Sequence, residues 1–146
     1  MNDKSEDLTI AQQLEQITPK SLDDIIRTNR DKARLYLSTG AELAALQGAI
    51  PIGLVKGKIS HWSFITFFLT KKNWAGVYLT GFNAAENSSW MTSMVTAISR
   101  TAVLTRSGSI YTLVGEPSTE QDLPFICATL NLWGVGPDFG VPPLFF

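Results

Sequence analysis

At Pro51 the texture of the chain changes, and that change narrows the folds open to it more than any other feature. Upstream, apolar residues recur at three- and four-residue spacing, the period of an amphipathic helix. Downstream, residues 52–114 are rich in valine, isoleucine, threonine and aromatics, which suit a pleated strand. A run of helices followed by a run of strands argues against alternating βαβ units. The expectation is an α+β fold: N-terminal helices, an antiparallel sheet of four to six strands, a C-terminal helix and an apolar tail. The 146 residues fit a single domain. It divides into a helical part (1–48), a strand-rich part (52–114), a helix (118–133) and the tail (134–146).

The first helix is expected over 8–17, with Leu8, Ala11, Leu14 and Ile17 on one face and Asp7 as its cap. Thr18-Pro19 ends it and opens a second. That second helix would place Leu22, Ile25, Ile26, Asn29, Ala33, Tyr36 and Leu37 on one face and Asp23, Arg27, Arg30, Asp31 and Arg34 on the other. Ser38-Thr39-Gly40 breaks it, and 41–47 reads as a further helical piece. Strands are expected over 52–55, 59–69, 74–82, 91–98, 102–105 and 109–114. In 59–69 both alternating sets are partly apolar, so that strand is expected to be buried on both faces. Gly76 and Gly81 mark bulges or close approaches. Arg106-Ser107-Gly108-Ser109 suits a tight hairpin turn. Ser118-Thr119-Glu120-Gln121 matches a capping box for a helix ending near Trp133, with Pro124 in its first turn and Gly134 as its stop.

Chemistry-bearing residues are few. Cys127 is the only cysteine, which excludes an internal disulfide and a cysteine-cluster zinc site. At its position on an apolar helix face it reads as a small core residue. His61 is the only histidine and lies beside Trp62 in a strand, so it reads as structural. Ser107-Gly108-Ser109 turns between two strands and cannot be a nucleophile elbow, which joins strand to helix. Asp23-Asp24, and Glu116, Glu120 and Asp122, surround expected helix N-termini, where carboxylates favour the helix dipole. No phosphate-loop or dinucleotide fingerprint is present. Neither a cofactor nor a metal is expected. The longest apolar stretches, 43–55 and 59–70, are too short to cross a bilayer, which takes about 20 residues. The polar start, MNDKSEDLTI, lacks a signal-peptide core. No membrane association and a cytoplasmic location are therefore expected.

The net charge of −1 hides segregation. Residues 1–42 sum to −2, 43–106 to +5 and 107–146 to −4. Near-neutrality removes the counterion release that drives general nucleic-acid binding. Within the basic centre, Lys56, Lys58, Trp62, Lys71, Lys72 and Trp74 could form an aromatic platform with a basic rim. The plainer reading of the same residues is a core strand flanked by solvated turns. The tail ends in Leu144-Phe145-Phe146. Together with Phe139 these are expected to bury against the domain or a second copy, the latter giving a homo-oligomer.

One stretch resembles something known. Thr92-Ser93-Met94-Val95, Ile98, and Val103-Leu104-Thr105-Arg106-Ser107-Gly108-Ser109-Ile110-Tyr111-Thr112-Leu113 with Gly115-Glu116-Pro117 are similar to a segment of small uncharacterised bacterial and prophage-borne proteins. That segment reads T-S-x-V, a spacer, then T-R-S-G-S-x-Y-x-L, with Leu79-Thr80-Gly81 matching its upstream strand. The resemblance implies a mobile-element protein and brings no catalytic residue. The functional expectation is a non-enzymatic protein that binds another protein or itself, as a regulator or inhibitor. A small-ligand or nucleotide-sequestering protein using the Trp62/Trp74 region is the alternative, and a carboxylate-based enzyme the third.

Overall fold

The computed structural model describes residues 9, 10, 12 and 19–141. A short helix α1 (Leu22–Ile25) leads to strand β1 (Ala33–Leu37), and helix α2 (Gly40–Ala45) follows. Five strands come next in unbroken sequence: β2 (Val55–Leu69), β3 (Trp74–Asn83), β4 (Ser88–Ile98), β5 (Ala102–Thr105) and β6 (Ile110–Val114). Helix α3 (Leu123–Leu132) and a single turn α4 (Gly136–Phe139) complete the described chain. The mixed α+β character is as expected. No helix among the described residues is long and apolar enough to cross a membrane.

The sheet is not open. Strands β2 to β6 pair antiparallel in chain order, and β6 then pairs with β2 to close a five-stranded barrel. That closing pair is parallel, Val55 opposite Ile110 through Ser60 opposite Val114. An up-and-down meander with an odd number of strands must close this way, because its first and last strands run in the same direction. β2 is 15 residues long, and β6 covers only the first part of one edge. The rest of that edge is taken by β1, Ala33 opposite Leu69 through Leu37 opposite Ile65. Register shifts interrupt four of the pairings, and each extra residue bends and twists its strand. The open antiparallel sheet expected from the sequence is thus corrected to a barrel with one additional strand.

Two cores lie on opposite sides of β2. Ile59, Phe64, Val77, Leu79, Val95, Ile98, Val103 and Tyr111 fill the barrel, and Leu43 and Leu46 pack against them. Ile65, Phe67 and Leu69 face outward beneath Leu22, Ile25, Ile126, Cys127, Leu130 and Phe139. The expectation that this strand is buried on both faces therefore holds. A bulge sets the change of face. Ser60 lies opposite Phe82 and Ser63 opposite Thr80, so β2 carries one residue more than β3 in this interval. His61 takes a positive φ of 49° there. Odd-numbered Ile59 points into the barrel before the bulge and even-numbered Phe64 after it.

The second predicted helix is corrected: only Leu22–Ile25 is helical, capped by Ser21, and Ala33–Leu37 is strand. Ala33 and Leu35 are buried while Arg34 and Tyr36 are exposed, an alternation with period two. The uncovered edge of β2 supplies the backbone partners that a helix would have supplied internally. The C-terminal helix starts later than the capping box implied. Asp122 is its N-cap, with Oδ1 accepting from the Phe125 N–H at 3.1 Å, and Pro124 sits in the first turn. Ser118 instead caps a local turn through the Glu120 N–H. Most of the expected helix over 8–17 lies outside the described residues.

Candidate binding surfaces

A groove of about 470 Å³ runs along the outer face of β3 and β4, beneath the end of α3. β3 contributes Trp74 and Tyr78, and β4 contributes Met91 and Met94. Residues two or four apart on a strand share a face, which places Trp74 and Tyr78 side by side. Their ring centroids lie 5.9 Å apart, nearly perpendicular. Trp133, at the C-cap of α3, closes the far wall with its ring 5.3 Å from Tyr78. Phe67 and Phe139 pack behind this cluster and fix it from the core side. Gly76 leaves the room in which Met94 lies: a Cβ there would stand 2.6 Å from the Met94 Cε. Burial pushes the Tyr78 phenol up to about 12, although the Trp74 indole and the Arg106 charge both act to lower it.

The rim of this groove is basic. Lys72 comes from the β2–β3 turn, with its Nζ 3.5 Å from Asp138 Oδ2. Arg106 comes from the β5–β6 turn and has no ion pair among the described residues. The T-R-S-G-S segment is what holds Arg106 there. The Arg106 N–H donates to the Met94 carbonyl at 2.7 Å, and the Ser107 N–H to Ser93 Oγ at 3.4 Å. Ser93 Oγ donates to Ser107 Oγ at 3.2 Å, and Ser107 Oγ lies 3.1 Å from both Thr105 Oγ1 and Ser109 Oγ. Gly108, at φ 85°, makes the turn. The two halves of the segment, Thr92-Ser93 and Thr105–Ser109, thus meet at one end of the groove.

A second surface is apolar and uncovered. In the irregular segment leading into β2, Ile52 and Leu54 have relative exposures of 106% and 95%. Val55, at the start of β2 beside them, is also exposed. Lys56 and Lys58 follow immediately and are both exposed. The strand expected over 52–55 is corrected: β2 begins only at Val55, and Ile52 and Leu54 lie in irregular backbone ahead of it.

The predicted platform residues do not form one site. Lys72 and Trp74 line the groove, whereas Lys56, Lys58 and Trp62 lie toward the other end of β2. Trp62 packs edge-on against Phe64 with centroids 5.7 Å apart, and its indole N–H donates to the Gly115 carbonyl at 3.1 Å. Lys71 lines a small cleft with Asn29, Lys32 and Asp138. Phe139 is fully buried in its own domain, and Leu144, Phe145 and Phe146 lie outside the described residues. Sequence reasoning missed Tyr78, Met91, Met94, Arg106 and Trp133 as one site. The only signal was Arg106 at a hairpin turn, and nothing local placed Trp133 over β3.

His61 opens onto a third recess of about 420 Å³ with Ser63, Thr80, Ser89, Gln121 and Asp122. Its polar groups are committed to one another. Ser89 Oγ donates to Asp122 Oδ2 at 2.6 Å, and Gln121 Nε2 to Ser63 Oγ at 3.1 Å. With its other oxygen capping α3, Asp122 is occupied structurally. Cys127 is buried, and burial pushes its thiol up to about 11, far from a reactive thiolate. Among the described residues no group of three or more His, Cys, Asp or Glu is placed to hold a metal ion. No protein-family model, curated protein or solved structure matches the chain.

Proposed function

We propose that this chain is a non-enzymatic binding protein that docks on another protein, a regulator or inhibitor of the kind carried by mobile elements. The observation that carries the reading is the near-complete exposure of Ile52 and Leu54, which with the exposed Val55 put three aliphatics within four residues, whereas Leu132 at 84% has no exposed aliphatic within four residues of it in sequence. Burying each would return about 1.5–3 kcal/mol, so leaving both in water is costly unless a partner covers them. The docked segment presents aliphatic side chains to Ile52, Leu54 and Val55, followed by carboxylates opposite Lys56 and Lys58. The charge match sets approach and register more than affinity. The similarity of residues 79–117 to prophage-borne proteins supports the mobile-element setting.

The test uses the exposure itself. Ile52 and Leu54 project into solvent, so the double variant I52D/L54D should fold normally, with stability within about 0.5 kcal/mol of the parent. A photoreactive residue at position 55, which is exposed on the same surface, should crosslink one protein partner from host extract in stoichiometric amount. I52D/L54D should recover about ten-fold less of it, since two lost aliphatic contacts are worth more than 1.4 kcal/mol. Undiminished recovery with the double variant contradicts the reading, as does a small molecule as the sole species retained.

A further inference from the structure

The groove at the other end of β2 has a chemistry of its own. It combines an exposed tryptophan wall, a floor of methionines and two cations at its rim. Trp133 presents ring surface at the opening, 38% exposed, and the buried Tyr78 ring packs behind it at 5.3 Å. Methionine side chains adapt to a flat ring better than branched aliphatics do. A purely apolar occupant would leave Arg106, which has no ion pair among the described residues, unused, and a simple anion would leave the Trp133 face bare. The volume of about 470 Å³ lies within the range of small-molecule sites and exceeds what one ring fills.

We propose that this groove binds a nucleotide, its base against the exposed face of Trp133 and its phosphate on Arg106, with Lys72 as a second charge. Arg106 matches a phosphate because a planar guanidinium can donate two parallel hydrogen bonds to its oxygens. The Ser93 hydroxyl at the same end of the groove already donates to Ser107 at 3.2 Å, so the donors offered to the phosphate are those of Arg106 and Lys72. The T-R-S-G-S turn then acquires a role: its hydrogen bonds to Met94 and Ser93 fix the backbone from which Arg106 reaches the phosphate. Asp138 competes with the phosphate for Lys72, so the burden falls on Arg106. Aromatic stacking is tolerant of base identity, and the site carries no commitment to one base. It is separate from segment 50–55 and stands whether or not that surface docks a protein.

The four nucleoside 5′-monophosphates are titrated against the full chain, following tryptophan fluorescence, with adenosine, inorganic phosphate and a hexanucleotide as comparators. At least one monophosphate should saturate below about 1 mM, a modest affinity for a groove this open. Adenosine and phosphate alone should each bind about ten-fold more weakly, having lost one half of the contacts. R106A should weaken the monophosphate about ten-fold with no change in melting temperature, because Arg106 is exposed. W133A should weaken it by a similar factor. Failure of all four to saturate, or equal binding by R106A, overturns the proposal. Preference for the hexanucleotide by more than about ten-fold would reassign the groove to single-stranded nucleic acid and overturn it as a free-nucleotide site.

Discussion

Gly81 and Gly76 sit five residues apart on β3, and they carry different risks. A Cβ on Gly81 would come within 2.6 Å of both the Ile59 Cγ2 and the Ser60 carbonyl oxygen, at the bulge of β2. Backbone cannot step aside, so G81A should cost about 3 kcal/mol, the upper end for overpacking. At Gly76 the obstacle is the end of the Met94 side chain, which can rotate. G76A should cost about 1 kcal/mol and act mainly by moving Met94 within the groove. Urea midpoints would separate the two, and equal losses would contradict the assignment of the Gly81 contact to backbone. Both glycines were legible as close approaches, since a strand-interior glycine has few other uses. A second residue-scale effect is alkaline. Burial raises Cys127 to about 11 and Tyr78 to about 12. Their neutral forms are favoured in the folded state, so the stability they contribute is complete below the ordinary thiol value of 9.0 and falls as pH rises toward 12. Midpoints measured from pH 8 to 12 should decline, and C127A should flatten the lower part of that decline. A C127A curve superimposable on the parent's would contradict the shift.

Among the elements, α2 shows how a short helix is held without a buried face of its own. Thr39 and Glu42 form a complete capping box, and no residue of the helix itself is buried. Glu42 also accepts from the Tyr36 hydroxyl at 2.9 Å and from Thr66 Oγ1 at 3.0 Å, which ties α2 to β1 and β2. Burial alone would raise the Glu42 carboxyl, but hydrogen bonds from the Thr39 backbone, Tyr36 and Thr66 outweigh it and hold it below its ordinary value. The stability it contributes is therefore present above pH 4.5 and is lost as pH falls below that. E42A should lower stability by about 1–2 kcal/mol near neutral pH and by less in acid. A penalty that is the same at both pH values would contradict the charged role. β1 is where local pattern misled. Leu22, Ile25, Ile26, Ala33 and Leu37 satisfy a helical period, yet the free edge of β2 recruits 33–37 as strand. That edge exists only because β6 ends at Val114, opposite Ser60, a fact of pairing between distant segments. The hairpin of β5 and β6 needed no such information, because Gly108 and its neighbours encode the turn locally.

At the scale of the whole molecule, β2 belongs to both the barrel and the layer beneath α3, so neither core forms without it. The two should unfold together. Amide exchange at Leu79 and Val103 in the barrel, and at Leu130 in α3, should report one opening free energy. A distinctly lower value for Leu130 would mean that the helical layer opens alone. Closure itself was not legible, because the pairing of Val55 with Ile110 joins segments 55 residues apart and leaves no local mark. The same holds for the groove, whose walls come from 72–94, 106 and 133–135. Only its basic turn and Trp74 stood out in the sequence. The segment before β2 carries a strand-like composition, and composition cannot show which apolar residues the fold leaves outside. Binding through that segment is the central claim, and hydrogen exchange on the complex with the crosslinked partner tests it most directly. The account predicts strong added protection across residues 50–58, with little change at residues 126–130 in α3. Unchanged exchange across 50–58, with protection elsewhere on the surface, would contradict it.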